Sequence, residues 1–176
     1  EYVHGLEGID GAPIFKPKIP LQKQHAVDFI IETLNSAEDN SITLVPTGPL
    51  TNIATAIKKD NKILKKISEI VIMGGAMREG GNTTPSAEFN IYVDPDAADI
   101  VFNAGRPLVV MPLDVTHKVI TSKEITNKLE NLGNKSGILV ASMLRFYNRF
   151  DEEKYGSDGG PLHDPCTIAY LLDKNL

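Results

Sequence analysis

The sequence predicts an α/β fold in which a mainly parallel sheet is flanked by helices. Short apolar segments rich in β-branched residues predict buried strands at 42–45, 69–73 and 108–111. An amphipathic helix is predicted at 24–34, and strands and helices then alternate along the chain, which is typical of a parallel sheet. Since no internal repeat or low-complexity tract divides the 176 residues, we expect them to belong to a single domain.

Capping residues mark the predicted helix boundaries. Asp94 is placed to cap a helix over 95–102, with proline in its first turn. The segment 121–124 has capping-box spacing, and a longer helix is predicted over 136–150. Asp164, which also precedes a proline, would cap the last helix in the same way.

Composition excludes several classes of protein. The net charge of −5 argues against a general nucleic-acid binder, which would carry a basic surface. No apolar run approaches the length of a membrane span, so we expect no membrane partner. The single cysteine, Cys166, cannot form an internal disulfide and suits a reducing compartment, so we expect a cytoplasmic protein.

A long connection over 74–93 follows the second predicted strand and has little apolar periodicity. Connections of this length inside a compact domain are uncommon and are usually either functional or disordered. Disorder fits poorly here, because the segment contains residues that we expect to pack: Phe89, Ile91, Tyr92 and Val93.

The same connection carries Asn82, Glu88 and Asn90, a carboxylate and two amides of the kind that grip a polyol such as a sugar. The spacing alone equally allows a surface loop whose polar side chains simply meet water.

Other candidate residues lie near predicted strand and helix ends. Thr47 lies in a Gly/Pro turn after the first strand, at the sheet edge where ligands bind in such folds. His163 is a potential proton carrier at a helix entrance, and His4 follows a predicted strand. Tyr147 and Tyr155 near a helix end could cover a planar ligand. Taken alone, Thr47, His4 and the two tyrosines are better explained as structural residues, and His163 is only suggestive.

Together these motifs resemble the inosine/uridine-type nucleoside hydrolases. The resembling stretches occur in one order and span nearly the whole chain: VHG at 3–5, ITLVPTGPLTN at 42–52, IVIMGG at 70–75, GGNTTPSAEFNIYVDPDAA at 80–98, PLDVTH at 112–117 and PLHDP at 161–165.

The resemblance implies calcium-dependent hydrolysis of the N-glycosidic bond of a ribonucleoside, in which calcium holds the ribose diol and the attacking water. It implies that Asp164 and the backbone carbonyl of Thr47 are calcium ligands. It also implies that His163 protonates the departing base, which can be a purine or a pyrimidine. Substrate contacts are implied for His4, Met73, Asn82, Glu88, Asn90, Tyr147 and Tyr155. Homodimers or homotetramers are common in the family.

One family feature is absent. The aspartate-rich signature DxDxGxDD, which supplies most calcium carboxylates and the water-activating base, does not occur, and Asp10 does not replace it. We therefore expect residues 1–176 to be the central and partial carboxyl-terminal portion of one nucleoside hydrolase domain, inactive alone. Two alternatives stay open: a non-catalytic nucleoside- or sugar-binding domain, and an α/β protein-interaction module.

Overall fold

The structure, a computed structural model, describes Gly5, Leu6, Gly8 and the ranges 10–12 and 17–176, with the side chain of Tyr155 left aside. The predicted strand end that contains His4 lies outside the described residues.

Helices and strands alternate through most of the chain. The helices are α1 (Ala26–Asn35), α2 (Thr51–Lys59), a 3₁₀ helix (Asn61–Lys66), α3 (Phe89–Val93), α4 (Pro95–Phe102), α5 (Leu113–Thr116), α6 (Lys123–Asn131), α7 (Lys135–Tyr155) and α8 (Pro165–Leu172). The strands are β1 (Ile42–Leu44), β2 (Ile67–Met73), β3 (Leu108–Met111), β4 (Ile120–Ser122) and β5 (Gly159–Pro161). The chain divides into two compact units.

The first unit, which we call the sheet unit, comprises Leu21–Thr116 and His163–Leu176. Its three strands are parallel in the order β1-β2-β3, so the predicted parallel sheet with flanking helices is confirmed. The central strand β2 is the most buried, and its last four residues are all buried. The edge strands β1 and β3 are only partly buried, so the prediction that the segment 42–45 is buried on both faces is wrong.

A hydrophobic core fills the space between the sheet and helices α1, α2 and α4. Leu34, Leu50 and Val101 are among its fully buried side chains. Asp94 caps α4 as predicted, because its carboxylate accepts the Ala97 N–H at 3.0 Å.

The second unit, which we call the helical unit, contains the described residues up to Pro20 together with His117–Leu162. Strands β4 and β5 form a two-stranded antiparallel sheet that the sequence did not predict. The predicted capping box over 121–124 is wrong by one residue: Ser122 caps α6.

Helix α7 extends five residues beyond the predicted end at Phe150. It stops at Gly156, whose φ of 65° lies in the left-handed region that favours glycine. Tyr155 therefore belongs to the last turn of a glycine-capped helix.

A buried amide joins α7 to both strands of the antiparallel sheet. Asn148 donates to the backbone oxygen of Thr121 and accepts the Thr121 hydroxyl at 2.9 Å. The same hydroxyl lies 2.9 Å from the carbonyl of Gly160 in β5. Since buried polar groups must be hydrogen-bonded, each group in this network depends on the others.

Replacing Asn148 by Ala should lower the free energy of unfolding by about 1–3 kcal/mol, because it leaves the buried Thr121 groups without their partner. Urea unfolding of the complete protein that contains this chain measures the change. Asn131→Ala on the exposed surface of α6 is the matched control and should change stability by no more than about 0.5 kcal/mol. Equal effects of the two variants would contradict the assignment.

Within the described residues, no helix combines the length and apolar character that crossing a bilayer requires.

Candidate active site at the carboxyl edge of the sheet

Three predicted site residues lie at or just beyond the carboxyl ends of neighbouring parallel strands. Thr47 follows β1, and Met73 is the last residue of β2. The two strand ends are tied together, since the Met73 N–H donates to the carbonyl of Pro46 at 3.1 Å. His163 contacts Thr116, which ends the short helix α5 directly after β3. The sheet thus brings to one edge residues that are far apart in sequence.

Glu88 is a buried charged residue of this edge, with 3% of its surface exposed. Its carboxylate caps α3 by accepting the N–H groups of Asn90 and Ile91. It also accepts the N–H of Gly75 at 2.9 Å, on the other side of the long connection. Gly75 has a φ of 83°, which a residue with a side chain rarely adopts. Glu88 therefore holds together the start and the end of the connection.

Asn90 is buried beside Glu88 and faces the end of β2. Its side-chain amide nitrogen donates to the backbone oxygen of Met73 at 3.1 Å and contacts the Met73 sulfur at 3.4 Å. Because a carbonyl can only accept, this contact fixes which side of the Asn90 amide is nitrogen. The amide oxygen is left as the acceptor that a ligand hydroxyl could use.

Asn82 is exposed, and its side chain joins two parts of the long connection. Its side-chain oxygen accepts the N–H of Phe89 at 2.9 Å. Gly81 lies so close to the backbone of Thr84 and Ala87 that a Cβ there would stand 2.3 Å from their atoms. The connection is thus ordered by its own hydrogen bonds and by close backbone contact, while Asn82 keeps its amide nitrogen for a ligand.

The expectation that the aromatic and aliphatic residues of this connection are packed is correct only for Ile91, which lies against the hydrophobic core. Phe89 and Tyr92 are both 54% exposed, and Val93 is exposed as well. The order of the connection therefore comes from polar contacts.

The predicted pair His163 and Asp164 lies at the start of α8. His163 Nδ1 is 2.8 Å from the hydroxyl of Thr116, which is fully buried. Asp164 was expected to be an ordinary helix cap, but its side chain makes no capping hydrogen bond. Its backbone oxygen accepts the N–H and the hydroxyl of Thr167 instead. The capping explanation of this carboxylate is therefore wrong.

The remaining predicted substrate contacts belong to the helical unit. Tyr147 lies on α7, and the edge of its ring approaches Gly160 closely. Tyr155 is the last residue of the same helix. Their predicted contact with the base stays a prediction, as does that of His4.

Sequence reasoning missed the role of Asp114. Its carboxylate accepts the backbone N–H groups of Met77, Arg78 and Glu79 at 2.8, 2.8 and 3.3 Å. The Met77 N–H, followed by those of Arg78 and Glu79, holds the pKa of the Asp114 carboxyl below its ordinary value. The position of Asp114 after a predicted strand was the available signal, but nothing in the sequence identified its partners.

The described residues offer oxygen donors for a metal but no complete set. A hard cation such as calcium prefers six to eight oxygen ligands. The Asp164 carboxylate and the Thr47 carbonyl are of the right chemistry, and both belong to the sheet unit. Among the residues that the structure describes, no group of three or more His, Cys, Asp or Glu could hold a metal ion.

Comparison with known proteins identifies the family. The family model of the inosine-uridine preferring nucleoside hydrolases matches residues 1–176. The chain belongs to this family.

Two curated relatives from Escherichia coli O1:K1 / APEC carry descriptive names. The pyrimidine-specific ribonucleoside hydrolase RihA is 47% identical over 175 residues, covering 99% of this chain and 56% of the relative. The pyrimidine-specific ribonucleoside hydrolase RihB is 46% identical over 172 residues, covering 97% and 54%. The chain thus spans little more than half the length of these relatives.

Solved structures of nucleoside hydrolases share the fold. A purine-preferring ribonucleoside hydrolase from Gardnerella vaginalis superposes with a TM-score of 0.93 at 38% identity, covering 99% of this chain and 55% of that one. The plant nucleoside hydrolase PpNRh1 gives a TM-score of 0.88 at 37% identity, with the same coverage.

The Asp114 contacts should titrate as one unit. Since the pKa of the folded carboxyl is depressed, its stabilisation is present above the unfolded value of about 3.9 and is lost as pH falls through the folded pKa. The amide proton shifts of 77–79 should therefore move together, with a midpoint below about 3.9. Two-dimensional NMR from pH 7 downward measures this. In Asp114→Asn the common transition should vanish; its persistence would show that another group is titrating.

Proposed function

We propose that the complete protein that contains this chain hydrolyses the N-glycosidic bond of ribonucleosides to free base and ribose. Family membership and relatives named as ribonucleoside hydrolases support the proposal. The observation that carries it is the arrangement of Glu88, Asn90 and Met73 at the end of β2, with His163 held beside the end of β3.

The groups left by the structural hydrogen bonds suit a ribose. Oε1 of Glu88 accepts one N–H, from Asn90, and a carboxylate oxygen can accept a second donor. The Asn90 amide oxygen adds another acceptor, and Asn82 adds amide donors. Cleavage builds positive charge on the sugar ring, as in other glycoside hydrolyses. Fixed acceptor oxygens beside the ring stabilise that charge without having to reorganise.

We assign to His163 the protonation of the departing base. Because Nδ1 faces Thr116, the opposite ring nitrogen, Nε2, is the one that would transfer the proton. A positioned general acid of this kind typically contributes about 10²–10⁴-fold in rate.

Asp164 and the carbonyl of Thr47 would supply part of a calcium shell. Bound calcium would orient the ribose diol and make a coordinated water easier to deprotonate. By resemblance to the family, the other carboxylates belong to the aspartate-rich signature, which these 176 residues do not contain.

Base release from ribonucleosides by the complete protein tests the proposal. His163→Ala should lower kcat by about 10²–10⁴-fold, because the departing base then lacks its proton donor. Asn90→Ala should raise KM and lower kcat, since one acceptor for the ribose is removed. Asn131→Ala, on exposed α6, should match the wild type.

Two outcomes would contradict hydrolysis. Nucleoside binding without base release would favour the non-catalytic binding domain. Unchanged hydrolysis and ribose affinity in both site variants would favour an α/β module whose site lies elsewhere.

The 176-residue chain alone should bind calcium weakly and release base at a negligible rate, because its described residues offer only part of the calcium shell and its sequence lacks the aspartate-rich signature. Calorimetric titration with calcium and a base-release assay on this chain and on the complete protein measure the difference. Chelation of calcium should abolish activity of the complete protein. Turnover by the chain at a rate typical of enzymes, about 1 s⁻¹ or faster, would refute this expectation.

Assembly and location are part of the same proposal. We propose a homodimer or homotetramer in the cytoplasm for the complete protein. Light scattering measures the mass, for which a monomer would be the contradicting result, and cell fractionation measures the location.

A further inference from the structure

The segment 111–116, which we call the β3 exit, contacts both the long connection over 74–93 and His163. It contains the last residue of β3, Pro112 and helix α5. The Gly74 N–H donates to the carbonyl of Met111 at 3.2 Å, and the Leu113 N–H donates to the carbonyl of Gly75 at 2.9 Å. The β3 exit therefore fixes the backbone directly after β2, where the long connection begins.

Asp114 extends this attachment along the connection. Its Oδ2 accepts the N–H of Met77, and its Oδ1 accepts those of Arg78 and Glu79. These contacts join residues 35–37 positions apart in sequence, so they reflect the tertiary fold rather than a local turn. Because hydrogen bonds to an ionised acceptor are stronger than neutral ones, this carboxylate is well suited to hold exposed backbone in one conformation.

The segment that Asp114 holds lies only a few residues before Asn82, one of the candidate polyol-binding residues. Residues 77–79 are followed by Gly81, which lies against Thr84 and Ala87, and then by Asn82. At the other end Glu88 returns to Gly75. The connection is thus fixed at its start by Asp114 and at its base by Glu88, so a loss of either contact should displace Asn82.

Thr116 provides the other contact of the β3 exit. Its hydroxyl lies 2.8 Å from Nδ1 of His163, and its residue surface is fully buried. A hydrogen bond at one ring nitrogen sets both the orientation of an imidazole and the role of its other nitrogen. The hydroxyl can both donate and accept, so Thr116 can keep this contact in either charge state of the ring.

We propose that the β3 exit is the positioning element of the site, with Asp114 holding the loop that carries Asn82 and Thr116 holding the ring of His163. Neither residue needs to touch substrate. The catalytic consequences rest on the proposed function, whereas the two contacts can be measured without any activity.

The first experiment replaces Asp114 by Asn in the complete protein. An amide has one acceptor oxygen, so it cannot keep hydrogen bonds at both Asp114 oxygens. We expect loss of hydrogen-exchange protection at amides 77–79, with protection in β2 retained. For hydrolysis we expect a rise in KM that is larger than the fall in kcat. Asp96→Asn, which removes an exposed carboxylate from the first turn of α4, is the matched control and should change neither.

The second experiment compares Thr116→Val with Thr116→Ser. Valine keeps the approximate volume but removes the hydroxyl, whereas serine restores it. Nitrogen-15 NMR of the His163 ring should show a shift of the Nδ1 signal in Thr116→Val and the wild-type signal in Thr116→Ser. We expect kcat to fall by roughly 10- to 100-fold in Thr116→Val, because the catalytic group loses its alignment, while KM changes little. In Thr116→Ser, kcat should return to the wild-type value. Thr126→Val makes the same threonine-to-valine change at another buried threonine and is the matched control.

The outcomes separate the two proposals. Unchanged protection at 77–79 in Asp114→Asn, or an unchanged His163 ring signal in Thr116→Val, would overturn the corresponding assignment whether or not the protein is an enzyme. Both structural changes in a protein that releases no base would support the positioning contacts and count against hydrolysis alone. Equal kcat values for the valine and serine variants would refute positioning through the Thr116 hydroxyl.

Discussion

A carboxylate taken out of water must find hydrogen-bond donors, and at Glu88 the backbone provides them. The N–H groups of Gly75, Asn90 and Ile91 converge on its two oxygens. Leaving such a buried group without partners costs more than any single hydrogen bond contributes. The path of the connection from β2 to α3 is consequently constrained, since both of its ends must reach the same side chain.

That constraint acts at the carboxyl edge of a parallel sheet, where the candidate site lies. Parallel strands end side by side, so residues that follow β1, β2 and β3 become neighbours without being neighbours in sequence. Thr47 and Met73 are linked through Pro46, and Thr116 carries the contact to His163. The sheet is the rigid part of the candidate site, and the long connection supplies its polar side chains.

Sequence patterns recovered the elements that have regular periodicity. The three parallel strands and the Asp94 cap follow from apolar runs and capping chemistry that are visible locally. Helix α3 was missed because it has five residues and begins after Glu88, which is not a common capping residue. Strand β5 was missed because Gly159 and Gly160 carry no strand propensity; the tertiary contact with β4 overrides it.

For the candidate site, residue types in the sequence identify candidates, and their roles in binding and catalysis stay predictions. Glu88, Asn90 and His163 were identified from their chemistry and by the family resemblance. No local pattern could show that Asp114 bonds the backbone of 77–79, because that contact exists only once β2 and β3 are paired. Phe89 and Tyr92 were expected to be buried because aromatic residues usually pack, yet both lie exposed on the short helix α3.

The structural hydrogen bonds also decide which atoms a ligand can meet. Asn90 uses its amide nitrogen on Met73, so it presents oxygen; Asn82 uses its oxygen on Phe89, so it presents nitrogen. Glu88 can add an acceptor at Oε1. Two acceptors and one donor around a common edge match hydroxyl groups, which both donate and accept, better than they match a phosphate, which would be repelled by Glu88. The same bonds that order the connection therefore support the proposed binding of an uncharged polyol rather than an anionic sugar.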